Sequence, residues 1–277
     1  MILTFTPEKH EYLSPEHQID WISVTSLASY FKHPFDANKQ SIKSTKNKKS
    51  KWYGMDPNLV KDLWNKEGKR ATDLGNWWHD QREKDIGEFE TIERHGVTIP
   101  IIRPTFKDGI KHAPSQKLIN GIYPEHFVYL QSAGICGQSD RVEVINNKVY
   151  IGDYKTNKEL KLKGYTKYDG TIDMMLEPLA HLEDCHLTHY ALQLSLYMYI
   201  ILKHNPEFKP GDMILDHVLF EVESMNEQGY PIYKIDNSGN FVVKEVKHYP
   251  VPYYKSEVIT MLNYLRDNRE RVKLKIH

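Results

Sequence analysis

The stretch CGQSDRVEVINNKVYIGDYKTNK, Cys136 to Lys158, constrains the fold of this chain more than any other. Two runs of alternating apolar residues flank Asn146-Asn147, and asparagine tolerates the positive φ that a two-residue hairpin turn demands. With those two residues as the turn, Ile145 pairs with Lys148, Val144 with Val149, Val142 with Ile151, and Asp140 falls opposite Asp153. One face of the hairpin then carries Val144, Val142 and Asp140 on one strand, and Val149, Ile151, Asp153 and Lys155 on the other. The valines and isoleucines bury that face, and its far end holds two acids and a lysine.

Directly opposed side chains in such a pair lie ~5 Å apart at Cβ. Two carboxylates at that distance beside an apolar floor repel each other unless a divalent cation sits between them, and hard oxygen donors suit magnesium or manganese. Lys155 projects to the same face, within reach of a water at the ion or of a phosphate oxygen. That is a layout for phosphodiester hydrolysis. The alternative is an edge hairpin with solvated charges, in which Lys155 merely pairs with Asp153.

Composition narrows the setting. The 277 residues carry 37 basic and 37 acidic side chains, so no global basic field announces nucleic acid, and any such contact must come from local patches. Two cysteines, Cys136 and Cys185, exclude a disulfide framework and a four-cysteine iron–sulfur cluster within one chain. No apolar run reaches membrane length, and MILTFTPEKHEYL lacks the order of a secretory signal. These features predict a soluble, cytoplasmic protein.

Elsewhere the pattern predicts a short extended opening (ILTFTPEKHEYL), a helix in SVTSLASYF capped by Ser23 or Thr25, and a lysine-rich loop from Lys39 to Lys51. Asp56 to Ile86 has helical signals throughout, with Asp56 as cap and Pro57 in the first turn; Gly68 or Gly75 would divide it into two helices. Period-two patterning from Glu125 to Thr156 gives strands, and His186 to His204 returns to helix. Strands in DMILDHVLFEVES, YPIYKID and FVVKEVKHY precede a closing helix with a basic end. The order predicts an α/β fold: one globular unit over 56–277 with a mixed central sheet flanked by helices, preceded by an N-terminal arm over 1–55 that holds the lysine-rich loop.

Two more features join the hairpin. QLSLY puts Gln193 and Tyr197 four apart on one helical face, with His189 a turn earlier, and LGNWWHDQRE places His79 within the upstream helix. Each alone reads more readily as core or structural. Together, Gly75 to His79 (G-x-x-x-H), Gly137 to Asp140 (G-x-x-D), Asp153 to Thr156 (D-x-K-T) and Gln193 to Tyr197 (Q-x-x-x-Y) stand in an order that resembles the RecB-type branch of the PD-(D/E)xK nucleases. The likeness covers about residues 70 to 200. KHEY…VTSL and LWNKEGKRATDLGNWWH extend it weakly toward the N-terminus, where the chain looks like phage and mitochondrial exonucleases of that branch.

The resemblance implies a restriction-endonuclease-like core. It also implies a magnesium ion, replaceable by manganese, on His79, Asp140, Asp153 and the carbonyl of Tyr154, with Lys155 assisting water attack. Gln193 and Tyr197 would orient the hairpin or a DNA strand, and Glu125, in YPEHFVYL, is a lesser candidate ligand. The expected activity is a metal-dependent DNA exonuclease, preferring a single strand or a free end, in replication, recombination or repair. An endonuclease, or a DNA-binding adaptor that does not cleave, are the alternatives. Trp77 and Trp78 are candidates for base stacking as well as for core, and the lysine-rich loop for closing over a strand as well as for a solvated linker. No G-x-x-x-x-G-K-[ST] loop is present, so the chain carries no nucleotide-driven motor of that type.

Overall fold

The structure, a computed structural model, describes residues 3–6, 11–14, 17–108, 110–112 and 115–276. Parts of the expected extended opening, including Lys9 and His10 of KHEY, lie outside the described residues, as does His277 at the basic end. In chain order the elements are β1 (Thr4–Thr6), β2 (Glu11–Leu13), β3 (Ile22–Ser23), α1 (Val24–Tyr30), α2 (Ala37–Lys46) and α3 (Pro57–Gly87). Next come β4 (Thr91–Arg94), β5 (Val97–Pro100), β6 (Thr105–Lys107), β7 (Ile110–His112), β8 (Gly121–Leu130), β9 (Ile135–Ile145) and β10 (Lys148–Lys155). The chain finishes with α4 (His186–His204), β11 (Lys209–Phe220), β12 (Val222–Met225), β13 (Pro231–Tyr233), β14 (Val243–Val251) and α5 (Lys255–Ile276).

The β9–β10 hairpin forms as the sequence requires. Asn146 and Asn147 sit at φ 50° and 60°, and the ladder pairs Ile145 with Lys148, Val144 with Val149 and Val142 with Ile151. Around it runs a mixed sheet. β8 lies antiparallel along β9, β11 lies parallel to β10, β14 closes the edge antiparallel to β11, and β3 joins the start of β9 in parallel. The parallel β10–β11 pair needs a long crossover, and α4 lies within it. This is an α/β architecture of mixed sheets with helices, as the pattern predicts.

One sheet face buries Val142, Val144, Val149, Ile151, Met213 and Leu215 against α1, α4 and α5, whose Leu27, Leu192, Leu196, Val258 and Met261 are almost fully buried. α4 is apolar on most of its circumference, as a helix between a sheet and two other helices must be. Residues 22–31 enter this core, with Leu27 and Phe31 at 0% exposure, so part of the expected N-terminal arm is integral to the domain. Elsewhere Leu74, Trp78, Tyr154, Val218 and Phe220 cluster where α3 meets β10 and β11.

Two expectations are corrected, and one region without a pattern takes shape. Neither Gly68 nor Gly75 interrupts α3, which is a single helix of 31 residues. A mid-helix glycine costs about 1 kcal/mol, less than burying Val60, Leu74 and Trp78 returns. The lysine-rich stretch is largely helical: Asp36 caps α2 by accepting from the Lys39 amide at 2.9 Å, and Ser41 and Thr45 are buried. Its last lysine, Lys51, lies in the turn that follows α2, over the rings of Trp52 and Tyr230, and donates to the Gln228 carbonyl, so the non-helical end is anchored too. Finally, residues 91–112, which carry no strong pattern, form the β4–β5 hairpin and, with β1 and β2, a four-stranded sheet in the order β2–β1–β7–β6. No helix among the described residues is long and apolar enough to cross a membrane.

Candidate metal centre

The hairpin register, continued one step past Arg141–Gly152, sets Asp140 opposite Asp153. The β8–β9 register passes from Pro124–Arg141 to His126–Ser139, which sets Glu125 opposite Asp140 on its other side. Glu125, Asp140 and Asp153 therefore form a row across three neighbouring strands. Glu125 holds a left-handed backbone at φ 49°, a strained conformation for a residue with a Cβ, and strain of this kind persists where surrounding structure enforces it. Its carboxylate accepts from the Gln138 side chain.

His79 completes the group. It projects from α3, one turn beyond Gly75, which lies beside Thr156 at the end of β10, where a Cβ would sit 3.4 Å from Thr156 Oγ1. His79 Nδ1 lies 3.5 Å from Asp140 Oδ2 and 3.7 Å from Glu125 Oε1. Ligand atoms of His79, Glu125 and Asp140 all fall within 4.8 Å of one another and could hold a metal ion. Their side chains are 30, 15 and 11% exposed, enough for an ion to enter from the cleft.

Asp153 stands apart from that trio. It is 2% exposed, and its Oδ2 lies 2.5 Å from Lys155 Nζ. The sequence reading makes Asp153 a ligand and leaves Glu125 secondary, whereas the structure brings Glu125 into the cluster with His79 and Asp140 and joins Asp153 first to Lys155. The Tyr154 amide donates to Asp140 Oδ2 at 2.8 Å, fixing that carboxylate. The Tyr154 side chain points into the other cluster, where Arg141 Nη1 donates to its hydroxyl at 2.8 Å.

The electrostatics of the group suit a divalent cation. Burial opposes charge on His79, but Asp140 and Glu125 outweigh it and push the imidazole up to about 9. Burial also raises Asp140, against the charges of His79 and Lys155. Asp153 is pushed up to about 6 by burial, with Asp140 adding to the effect and Lys155 opposing it. Lys155 stays above the ordinary lysine value despite its burial, because Asp153 and Asp140 face it. Asp153 and Asp140 face Lys155, while Asp140 and Glu125 favour a proton on His79 that offsets part of their charge. A divalent ion on two carboxylate oxygens and an imidazole nitrogen would do the same more completely.

This centre lies in an open cleft of about 810 Å³ lined by residues of α1, α3, α4, β8, β9 and the small sheet, Gln193 and Tyr197 among them. Tyr197 is 2% exposed and its hydroxyl accepts from Gln193 Nε2 at 3.1 Å. Gly137 is required beneath it, since a Cβ there would meet Tyr197 Cε1 at 2.8 Å. His189, a turn earlier, turns instead to Asp184 at 2.6 Å. Trp78 is 5% exposed and stacks edgewise on Tyr154 and Phe220, and Trp77 packs on Phe241. Trp78 is core, and its burial rules out base stacking; Trp77 is half-buried at the edge of the same cluster. Sequence reasoning missed Gln138 and Lys111 in the cleft; Gln138 is flagged only by following Gly137, and Lys111 by nothing local.

Both cysteines are free and buried, on separate elements. No protein-family model, no curated protein sequence and no solved structure matches the chain.

Proposed function

We propose that this protein is a metal-dependent nuclease of the PD-(D/E)xK type, with a restriction-endonuclease-like core, hydrolysing DNA phosphodiester bonds as an exonuclease. The observation that carries the proposal is the row of Glu125, Asp140 and Asp153 across three strands, with His79 on one side and Lys155 on the other. A purely structural ion site would have no use for a buried lysine held charged beside it.

His79, Glu125 and Asp140 would hold the ion, with Asp153 and the Tyr154 carbonyl next to them. Magnesium suits the carboxylates, and the histidine nitrogen makes manganese an effective substitute. Bound there, the ion would supply Lewis-acid charge and favour ionisation of the attacking water. The chain's own residues do the rest. Lys155, kept protonated by Asp153, donates to the phosphoryl oxygen on which charge accumulates as water attacks phosphorus and the ester oxygen departs. The Tyr154 amide and Gln138 hold Asp140 and Glu125 in place, so no reorganisation is needed during the reaction. Gln193, aligned by Tyr197, presents an amide to the cleft as a contact for the strand.

The test is a fluorescent oligonucleotide incubated with magnesium or manganese. A ladder of short products that disappears with chelator and in Lys155→Ala supports the exonuclease. A discrete cut product instead indicates an endonuclease. Retained binding with no cleavage in either metal overturns the proposal in favour of a DNA-binding protein.

A further inference from the structure

Part of the cleft wall comes from the small sheet, through Phe5, Tyr12, Phe106 and Lys111. Lys111 is 4% exposed, yet its ammonium makes no hydrogen bond to a described residue, and no described carboxylate lies within the 4.0 Å of an ion pair. Its Nζ rests 5.2 Å from the centroid of the Phe127 ring and 5.9 Å from that of Phe106. Rings attract a cation but do not replace the hydrogen bonds it loses on leaving water. Glu125 and Glu83 are the acids whose charge reaches it, both from beyond ion-pair distance. An ammonium at the wall of a cleft, with no ion-pair partner among the described residues, is open to an anion that arrives from outside.

Phe106 supplies a second feature at the same place. It is 57% exposed, beside Lys111 on the neighbouring strand, and it lines the same cleft. A flat exposed ring next to a buried cation matches the two chemistries of a nucleotide, a base face and a phosphate.

Resting on the nuclease reading, we propose that Lys111 and Phe106 form a nucleotide subsite next to the metal centre, in which the ammonium takes a strand phosphate and the ring stacks on a base. The phosphate is either internal to the strand or at its end. Neither residue is one of the His79–Glu125–Asp140 ligand group, so both are specificity and binding residues.

The experiment measures binding of single-stranded oligonucleotides by fluorescence anisotropy in chelator, from low to moderate salt, with 5′-phosphate and 5′-hydroxyl ends. The proteins are wild type, Lys111→Met, Lys111→Arg and Phe106→Ala. Loss of one phosphate contact flattens the slope of log K against log salt by about 0.7 in Lys111→Met, while Lys111→Arg keeps the wild-type slope. Phe106→Ala weakens binding by at least roughly five-fold at every salt, with the slope unchanged. An effect of Lys111→Met limited to 5′-phosphorylated strands identifies a terminal phosphate, and an equal effect on both strands an internal one. Wild-type slope and affinity in Lys111→Met overturn the subsite. Should that variant fail to fold, unchanged binding by the surface variant Phe106→Ala overturns it instead. Cleavage in manganese separates the two readings. Wild type that cleaves, with both variants binding normally, removes only the subsite; wild type that binds with the expected slopes but never cleaves removes only the nuclease; wild type that neither binds nor cleaves removes both.

Discussion

Cation binding at His79 must compete with a proton, and the structure sets the size of that competition. Without an ion, Asp140 and Glu125 prevail over burial and hold the imidazole at about 9. At pH 7 that leaves about one molecule in a hundred with a free ring nitrogen, so affinity measured there is about a hundredfold below its limit at pH well above 9. Each unit of pH between about 6.5 and 8.5 should therefore tighten manganese binding about tenfold, with close to one proton released per ion. Asp153, held at about 6, is already ionised over most of this range and adds to the slope only at its acid end. Isothermal calorimetry at several pH values, in buffers of different ionisation enthalpy, reads both the affinity and the proton count. His79→Gln keeps a polar side chain but cannot titrate, so its affinity should be weaker and nearly flat across the window. A flat profile in the wild-type protein, or an undiminished slope in His79→Gln, would refute the assignment of His79 as a ligand.

The same group makes the ion-free fold pH-dependent: a raised pKa stabilises below about 6.5 and the benefit is lost as pH rises through about 9. In chelator, the melting-temperature difference between wild type and His79→Gln should shrink over that range, which differential scanning calorimetry can follow. Gly137→Ala forces a methyl against the Tyr197 ring and should destabilise by about 1–3 kcal/mol, several degrees in melting temperature; an unchanged melting temperature would show that the helix can give way. Trp78→Ala should cost about 3–5 kcal/mol by emptying the cluster under α3, and urea unfolding that detects less than 1 kcal/mol would contradict its placement in the core. Lys155→Met should retain manganese binding by calorimetry while cleavage falls by about 10²–10³; loss of both together would mean that the lysine holds the site in shape.

Much of the site was legible because the rules that govern a hairpin are local. Asn146-Asn147 fixes the turn, the turn fixes the register, and the register places Asp140 across from Asp153 with Lys155 two residues on. Asp56 and Pro57 announced the start of α3, and the apolar spacing of His186 to His204 announced α4. In each case the deciding interactions lie within a few residues of one another, so the chain displays them directly.

Other features depended on partners distant in sequence. Glu125 joins Asp140 only because β8 pairs with β9 in one register, and a shift of one residue would turn it to the opposite face. His79 reaches the acids only because α3 continues unbroken through two glycines whose local preference is to end it, and packing of Leu74 and Trp78 outweighs that preference. The sheet that carries Lys111 and Phe106 is assembled from strands of three residues each, too short for any periodicity to register, and two of them come from the opening of the chain. Sequence alone thus determined the hairpin and the charges at its end. The tertiary structure decided which further side chains meet them, because burial and strand pairing, rather than local propensity, select those contacts.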